Sequence, residues 1–341
     1  MKLPLIPISL ILLLCTSNVI AAEHIPAPPT NNITTASLTV PEWQAKIAKV
    51  KLTTSGCFHA TYPSLNYVKQ SCFTPGSQPK SRSRQQSNIT NRSMDGSGWH
   101  FRAANGARIT RTTGTFPVTQ NVKSVSDNQY SLQINTNSPA ITRVCGDKKN
   151  CSLWQQFVYF SSEKNFSELA MEYWISGADV DPDNCPRGYN DAGYHTCESL
   201  LTMGSFPAIP VTELKNITML ANAEKDGQDS VVLIYQQNAW ALAEDDSWGY
   251  LSDDWTESEF NVFGHDGSPD NRFAIFNPGA LLKVNVAANY QNPTQETMWP
   301  SCIKGSLTGE GSNLIPSGSC TSKARTALTD TYIEFSESAP N

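Results

Sequence analysis

From Trp99 to the C-terminus the chain is a succession of short apolar runs, many alternating with polar residues and separated by Gly, Asn, Asp and Pro. In NQYSLQINT, Tyr130, Leu132 and Ile134 fall on one side of an extended chain, and Gln129, Ser131, Gln133 and Asn135 fall on the other. WQQFVYF, ELAMEYWI, DSVVLIYQQ, SEFNVF and ALLKVNVAA follow in turn. A period of two bounded by turn residues predicts strands. Helical periodicity is nearly confined to Val40–Lys51, where Trp43, Ile47 and Val50 share a side. Many strands with one polar and one apolar face predict an all-β fold, a β-sandwich of jelly-roll type over residues 99–338.

The segments before Trp99 read differently. Met1 and Lys2, the apolar run Leu3 to Leu14 and the small residues Ala21 and Ala22 predict a signal peptide over residues 1–21, too short to span a bilayer. Residues 22–41 are rich in Pro, Thr and Asn and form a flexible lead-in. Residues 42–75 hold the loop GCFHATYPSLNYVKQSC, expected as a small disulfide-bonded N-terminal appendage. Residues 76–98 are polar and aperiodic, a loop or linker. No later run of 18 apolar residues would hold the chain in a membrane, so the expectation is a secreted protein.

Eight cysteines remain after the leader: Cys57, Cys72, Cys145, Cys151, Cys185, Cys197, Cys302 and Cys320. An even count in an exported chain predicts disulfides. Short loops close at low entropic cost, which favours the neighbouring couples Cys57–Cys72, Cys145–Cys151, Cys185–Cys197 and Cys302–Cys320. CxxC and Cys/His clusters are absent, so neither a metal nor another cofactor is expected. Discarding Lys2 takes the 25 basic side chains to 24 against 31 acidic ones, a net charge of −7 with histidine neutral. An acidic surface argues against nucleic acid as a partner.

GxSxG, HExxH, P-loop and GxGxxG signatures are all missing. His24, His59, His100, His195 and His265 are scattered. Asp179, Asp181 and Asp183 open like a calcium loop, but Asn184 and Asn190 stand where the Gly and the closing Glu belong, so they read as a solvated acidic loop. Sequons at Asn32, Asn88, Asn91, Asn150, Asn165 and Asn216 are glycan acceptors only in a eukaryotic secretory path.

Four stretches carry a resemblance. GWHFRAANGARITRTTGTFPV, YSLQIN, LWQQFVYF and SEFNVFGHDGSPDNRFAIFN, within residues 98–288, follow one another as do the strands of the eqolisin-type glutamic peptidases. That resemblance implies a concanavalin-like jelly-roll, secretion, and acid proteolysis by a glutamine and a glutamate, which fall on Gln133 and Glu259. Phe260 stands where that family has Trp. The chemistry is coherent: a carboxylate activates water against a peptide carbonyl and an amide stabilises the oxyanion. Strand alternation also brings Gln156, Glu172, Trp174, Asn261, Lys283 and Asn285 to outward faces. A concave sheet face with a Trp, amides and carboxylates suits an extended polypeptide or a glycan. Two expectations follow: a glutamic endopeptidase using Glu259 and Gln133, or a lectin-like or protein-binding secreted factor without catalysis, gripping its ligand through Trp174.

Overall fold

The computed structural model describes residues 38–72, 98–162, 167–264, 273–292, 299–324 and 331–341. The predicted leader, most of the lead-in, nearly all of the polar linker, and His24 and His265 lie outside the described residues. One longer helix, α1 (Val40–Ile47), opens the described chain. The strands, in chain order, begin with β1 (Gly56–Thr61), β2 (Val68–Gln70), β3 (Trp99–Arg102), β4 (Ile109–Gln120), β5 (Gln129–Thr136), β6 (Ser152–Ser162) and β7 (Ser167–Ser176). Next come β8 (Asn190–Gly193), β9 (Thr196–Phe206), β10 (Ile217–Asn222), β11 (Gln228–Tyr235), β12 (Asn238–Asp245) and β13 (Glu257–Phe263). The last are β14 (Phe273–Ala274), β15 (Leu281–Tyr290), β16 (Ser301–Lys304), β17 (Gly311–Ser312), β18 (Ile315–Pro316), β19 (Thr321–Ala324) and β20 (Thr331–Ser338).

The fold is all-β, as the alternation predicts. The first sheet has ten strands in the order β18-β20-β15-β4-β10-β11-β12-β1-β2, with β19 beside β20. The second has eight, in the order β16-β3-β13-β5-β6-β7-β9-β8. The strands of both sheets pair antiparallel, and the short β14 and β17 pair parallel. The two sheets sandwich one core, to which Leu132, Ile134 and Phe260 of the second sheet and Val231, Leu233 and Val286 of the first contribute fully buried side chains. Because side chains alternate along a strand, burying Leu132, Ile134 and Phe260 sends Gln133, Asn135, Glu259 and Asn261 to the opposite face of the second sheet.

A glycine fixes the distance between the sheets. Gly114 of β4 faces Phe260, and a Cβ placed on it would stand 2.2 Å from that ring. Phe116, two residues on, packs against the same ring at 5.0 Å between centroids. Gly114→Ala should therefore overpack the core and lower the free energy of unfolding by about 2–3 kcal/mol, read by equilibrium denaturation. An unchanged midpoint would show that Phe260 relaxes freely.

The N-terminal stretch is built into the first sheet. α1 starts with a capping box in which Glu42 N donates to Thr39 Oγ1 and Thr39 N donates to Glu42 Oε2. Trp43 and Ile47 of the helix pack on the back of the sheet against Phe58, Val232 and Ile234. β1 pairs with β12 along its whole length, and the Cys57–Cys72 bridge ties β1 to the segment following β2. Residues 42–72 thus supply the last two strands of the first sheet, β1 beside β12 and β2 at the edge, and most of a covering helix, their apolar side chains packing on that sheet. All four disulfides join the neighbouring couples, with Cα separations of 5.3–6.0 Å. Among the described residues no helix is long and apolar enough to cross a membrane.

Candidate functional site

The register of the second sheet lines its core-distal face with polar groups. Glu259 of β13 lies opposite Asn135 of β5, Asn135 opposite Gln156 of β6, and Gln156 opposite Glu172 of β7. Gln133 lies one rung along β5, opposite Asn261. Gln133, Gln156, Glu172 and Asn261 therefore share a face with Glu259, as their alternation predicts. Solvent exposure does not follow, because Glu259 is 1% exposed, Gln133 2%, Asn261 2% and Gln156 4%.

A strap formed by residues 305–310 provides part of the cover. It leaves β16, which extends the second sheet beside β3, and returns through β17. Beyond β17, Asn313 clasps Phe276 by two hydrogen bonds, Phe276 N to Asn313 Oδ1 at 2.8 Å and Asn313 Nδ2 to Phe276 O at 3.0 Å. Cys302–Cys320 brackets the whole excursion. Within the strap, Ser306 Oγ donates to Glu259 Oε2 at 3.1 Å and Leu307 N donates to the same oxygen at 3.0 Å. His100 Nδ1 donates to Gly305 O at 2.9 Å, and Gln133 Nε2 donates to the Glu310 carboxylate.

Beneath the strap the side chains form one network. Asn135 Nδ2 donates to Glu259 Oε2 at 3.2 Å, and Gln156 Nε2 donates to Asn135 Oδ1 at 2.7 Å and Gln133 Oε1 at 3.1 Å. Three donors thus converge on Glu259 Oε2, while Oε1 has no hydrogen-bond partner among the described residues. Burial pushes the Glu259 carboxyl up to about 7, against the pull of Ser306, the Leu307 N–H, His100 and Asn135. Glu337 of β20 lies close by, accepting from Asn261 Nδ2 at 3.1 Å. Burial pushes its carboxyl up to about 8, and the Glu259 charge adds to the rise. At the other end of the row Glu257 bonds Arg102 Nε at 2.5 Å and lies 3.5 Å from His100 Nε2. The nearby His100 imidazole first, and Arg102 with it, hold the Glu257 carboxyl below the ordinary range. Burial pulls the His100 imidazole down, but Glu257, the Gly305 carbonyl and the Glu259 charge carry it above its ordinary value.

Three nominated residues fall elsewhere in role or place. Lys283 lies on β15 of the other sheet, paired with Glu334 at 2.7 Å, and Asn285 is on that strand too. Alternation assigns a face but not a sheet, so both looked equivalent to Gln133 in the sequence. Trp174 shares the site's sheet but is 3% exposed, set beside its cross-strand neighbour Trp154 at 6.4 Å between centroids. It packs and offers no open platform. Conversely, the strap, His100, Asn135 and Glu337 join the site without having been singled out. Glu337 did leave a trace, since it continues the apolar alternation of Ile333 and Phe335. A lone acid in the inward set of a strand is a buried titratable group.

Fold and site together define an all-β sandwich with a networked carboxylate and amide row under a tethered strap. No protein-family model matches the chain, and no curated protein matches it.

Proposed function

We propose that the chain is a secreted, acid-active endopeptidase of glutamic type, in which Glu259 is the general base and Gln133 the donor to the oxyanion. One observation carries this reading: Glu259 and Gln133 lie on adjacent strands, on one face, linked through Asn135 and Gln156, with one buried Glu259 oxygen unpartnered among the described residues. The resemblance to eqolisin-type peptidases, with its concanavalin-like jelly-roll, points to the same two residues. Export accords with the leader-like first 21 residues and the four disulfides.

The chemistry follows from the geometry. Under the strap Glu259 holds its proton up to about pH 7. Displacing the strap admits water, lessens the desolvation and lowers the carboxyl toward its ordinary range, so it becomes a base in mild acid. An extended polypeptide laid across the row meets Asn135, Gln156 and Glu172, whose amides and carboxylate match backbone N–H and C=O groups. Water activated by Glu259 adds to the scissile carbonyl, and the Gln133 amide stabilises the oxygen that gains charge. Incubation with an unfolded protein substrate at about pH 3 to 6 tests the reading. Cleavage within that range, weakening toward its acid end as Glu259 takes up a proton, is the expected result, and no cleavage at any pH overturns it.

A second reading has its own observation. A cavity of about 760 Å3 between β12, β1 and the end of β9 is lined by His59, Tyr235, Trp240, Gln70, Gln236 and Asn238, and among the described residues no Asp, Glu, Lys or Arg joins its wall. His59 stacks on Trp240 at 5.5 Å and meets Asn238 Oδ1 at 3.0 Å. Aromatic faces beside neutral amides suit an uncharged sugar. The lectin-like alternative thus moves from Trp174 to this cavity. Saturable binding on a glycan array, lost in Tyr235→Ala and kept in Trp174→Phe, is its expected outcome; absence of binding removes it.

A further inference from the structure

We infer that the strap's own Ser306–Leu307 peptide bond is the first bond this site cuts, so that the protein matures by cleaving itself. The inference rests on the peptidase reading and adds to it a substrate and a regulatory step. Its ground is the placement of that one bond. The Leu307 nitrogen stands 3.0 Å from Glu259 Oε2, and the Ser306 hydroxyl on the other side of the bond holds the same oxygen at 3.1 Å. Of the strap's backbone amides, Leu307 N–H is the one bonded to the Glu259 carboxyl.

The bond is held there from both sides. Upstream, β16 pairs with β3 from Ser301 to Lys304, and Gly305 O accepts from His100. Downstream, Glu310 accepts from Gln133, β17 pairs with β14, and Asn313 clasps Phe276. A peptide fixed against a catalytic group reacts at the effective concentration of an intramolecular partner, far above any free substrate.

The step balances as ordinary hydrolysis. When the strap lifts enough to admit water, Glu259 releases its proton to solvent; the water then adds to the Ser306 carbonyl carbon and gives a proton to the Glu259 carboxylate. The C–N bond breaks as Glu259 passes that proton to the Leu307 nitrogen, leaving a carboxylic acid on Ser306 and an amine on Leu307. The fold keeps both new ends near the site, because Cys302–Cys320 spans the cut and β16 and β17 anchor its flanks. A strap cut between its anchors loses the Leu307 N–H bond and the chain continuity that press it onto Glu259. The row is then open to other polypeptides.

The experiment incubates the purified chain at about pH 4 and follows intact mass, gels with and without reductant, and N-terminal sequencing. The expected result is a gain of one water, no change on the gel without reductant, and release of Leu307–Asn341 with reductant. A rate independent of protein concentration is expected too. Glu259→Gln should remain one chain, with its circular dichroism confirming the fold. Hydrolysis of an added protein should begin after a lag that prior acid incubation removes. A chain that digests the added protein while its Ser306–Leu307 bond stays whole, or that cuts itself elsewhere first, overturns the inference and leaves the peptidase reading standing. A chain that cuts neither overturns both.

Discussion

Glu259→Gln should lower acid proteolysis about a thousandfold, within the range that removal of a general base or acid produces, while leaving the fold intact. The separation of the two effects comes from which oxygen is engaged. Asn135 Nδ2, Ser306 Oγ and Leu307 N all donate to Glu259 Oε2, and a glutamine carbonyl oxygen in that place accepts the same three bonds. The amide nitrogen takes the position of Oε1, which has no partner among the described residues to lose. What disappears is the ability to take a proton from water. Gln133→Ala should cost activity about a hundredfold through the oxyanion. It also costs stability, because it leaves Gln156 Nε2 with one acceptor fewer and the Glu310 carboxylate without that donor. The pair is therefore read on two axes: initial rates on an unfolded protein substrate at about pH 4, and melting temperature at the same pH. Equal residual rates in wild type and Glu259→Gln would end the glutamic assignment whatever the fold does.

Much of this site is legible in the sequence, and what is not has a common cause. Period two in YSLQIN and SEFNVF assigns Gln133 and Glu259 to the face opposite Leu132, Ile134 and Phe260, and the register then sets them on neighbouring strands. Loop entropy alone picks out all four disulfide couples. Long-range pairing is what the sequence leaves open. Lys283 has the same local pattern as Gln133, yet β15 belongs to the other sheet. The strap is a polar, glycine-containing stretch, KGSLTGEG, with nothing local to show that it crosses a face made over 170 residues earlier in β5. That crossing turns an outward face into a buried one, so Gln156 and Asn261, polar and alternating, sit away from water. Residues 42–72 teach the same lesson, since it is the partner strand β12 that makes them part of the sandwich.

The burial that hides Glu259 and Glu337 should make the protein most stable in mild acid and weaken it as pH rises from about 5 to 8. Both carboxyls are raised in the folded chain from an ordinary value of 4.5, to about 7 for Glu259 and to about 8 for Glu337. The folded chain then holds protons that the unfolded chain has released, so the stabilisation is full below the ordinary value and is lost through the folded ones. Asp229 has the same sign, since complete burial first and the neighbouring Asp246 next push it well above its ordinary range. His100, raised by its partners, also loses its contribution on the alkaline side. Glu257, lowered by His100 and Arg102, runs the other way and limits stability in strong acid. At about 1.4 kcal/mol per tenfold change in proton affinity, Glu259 alone shifts the balance by about 3 kcal/mol between its ordinary and folded values. A fall in melting temperature of at least about 5 °C between pH 5 and pH 8 is the expected result. Glu337→Gln should flatten the upper part of that curve and raise stability at pH 8, because a glutamine oxygen still accepts from Asn261 and no charge remains to be buried. A melting temperature that climbs over the same interval would mean that Glu337 and Glu259 ionise in contact with water. The strap would then leave the row open, and the self-cleaving arrangement would lose its geometry.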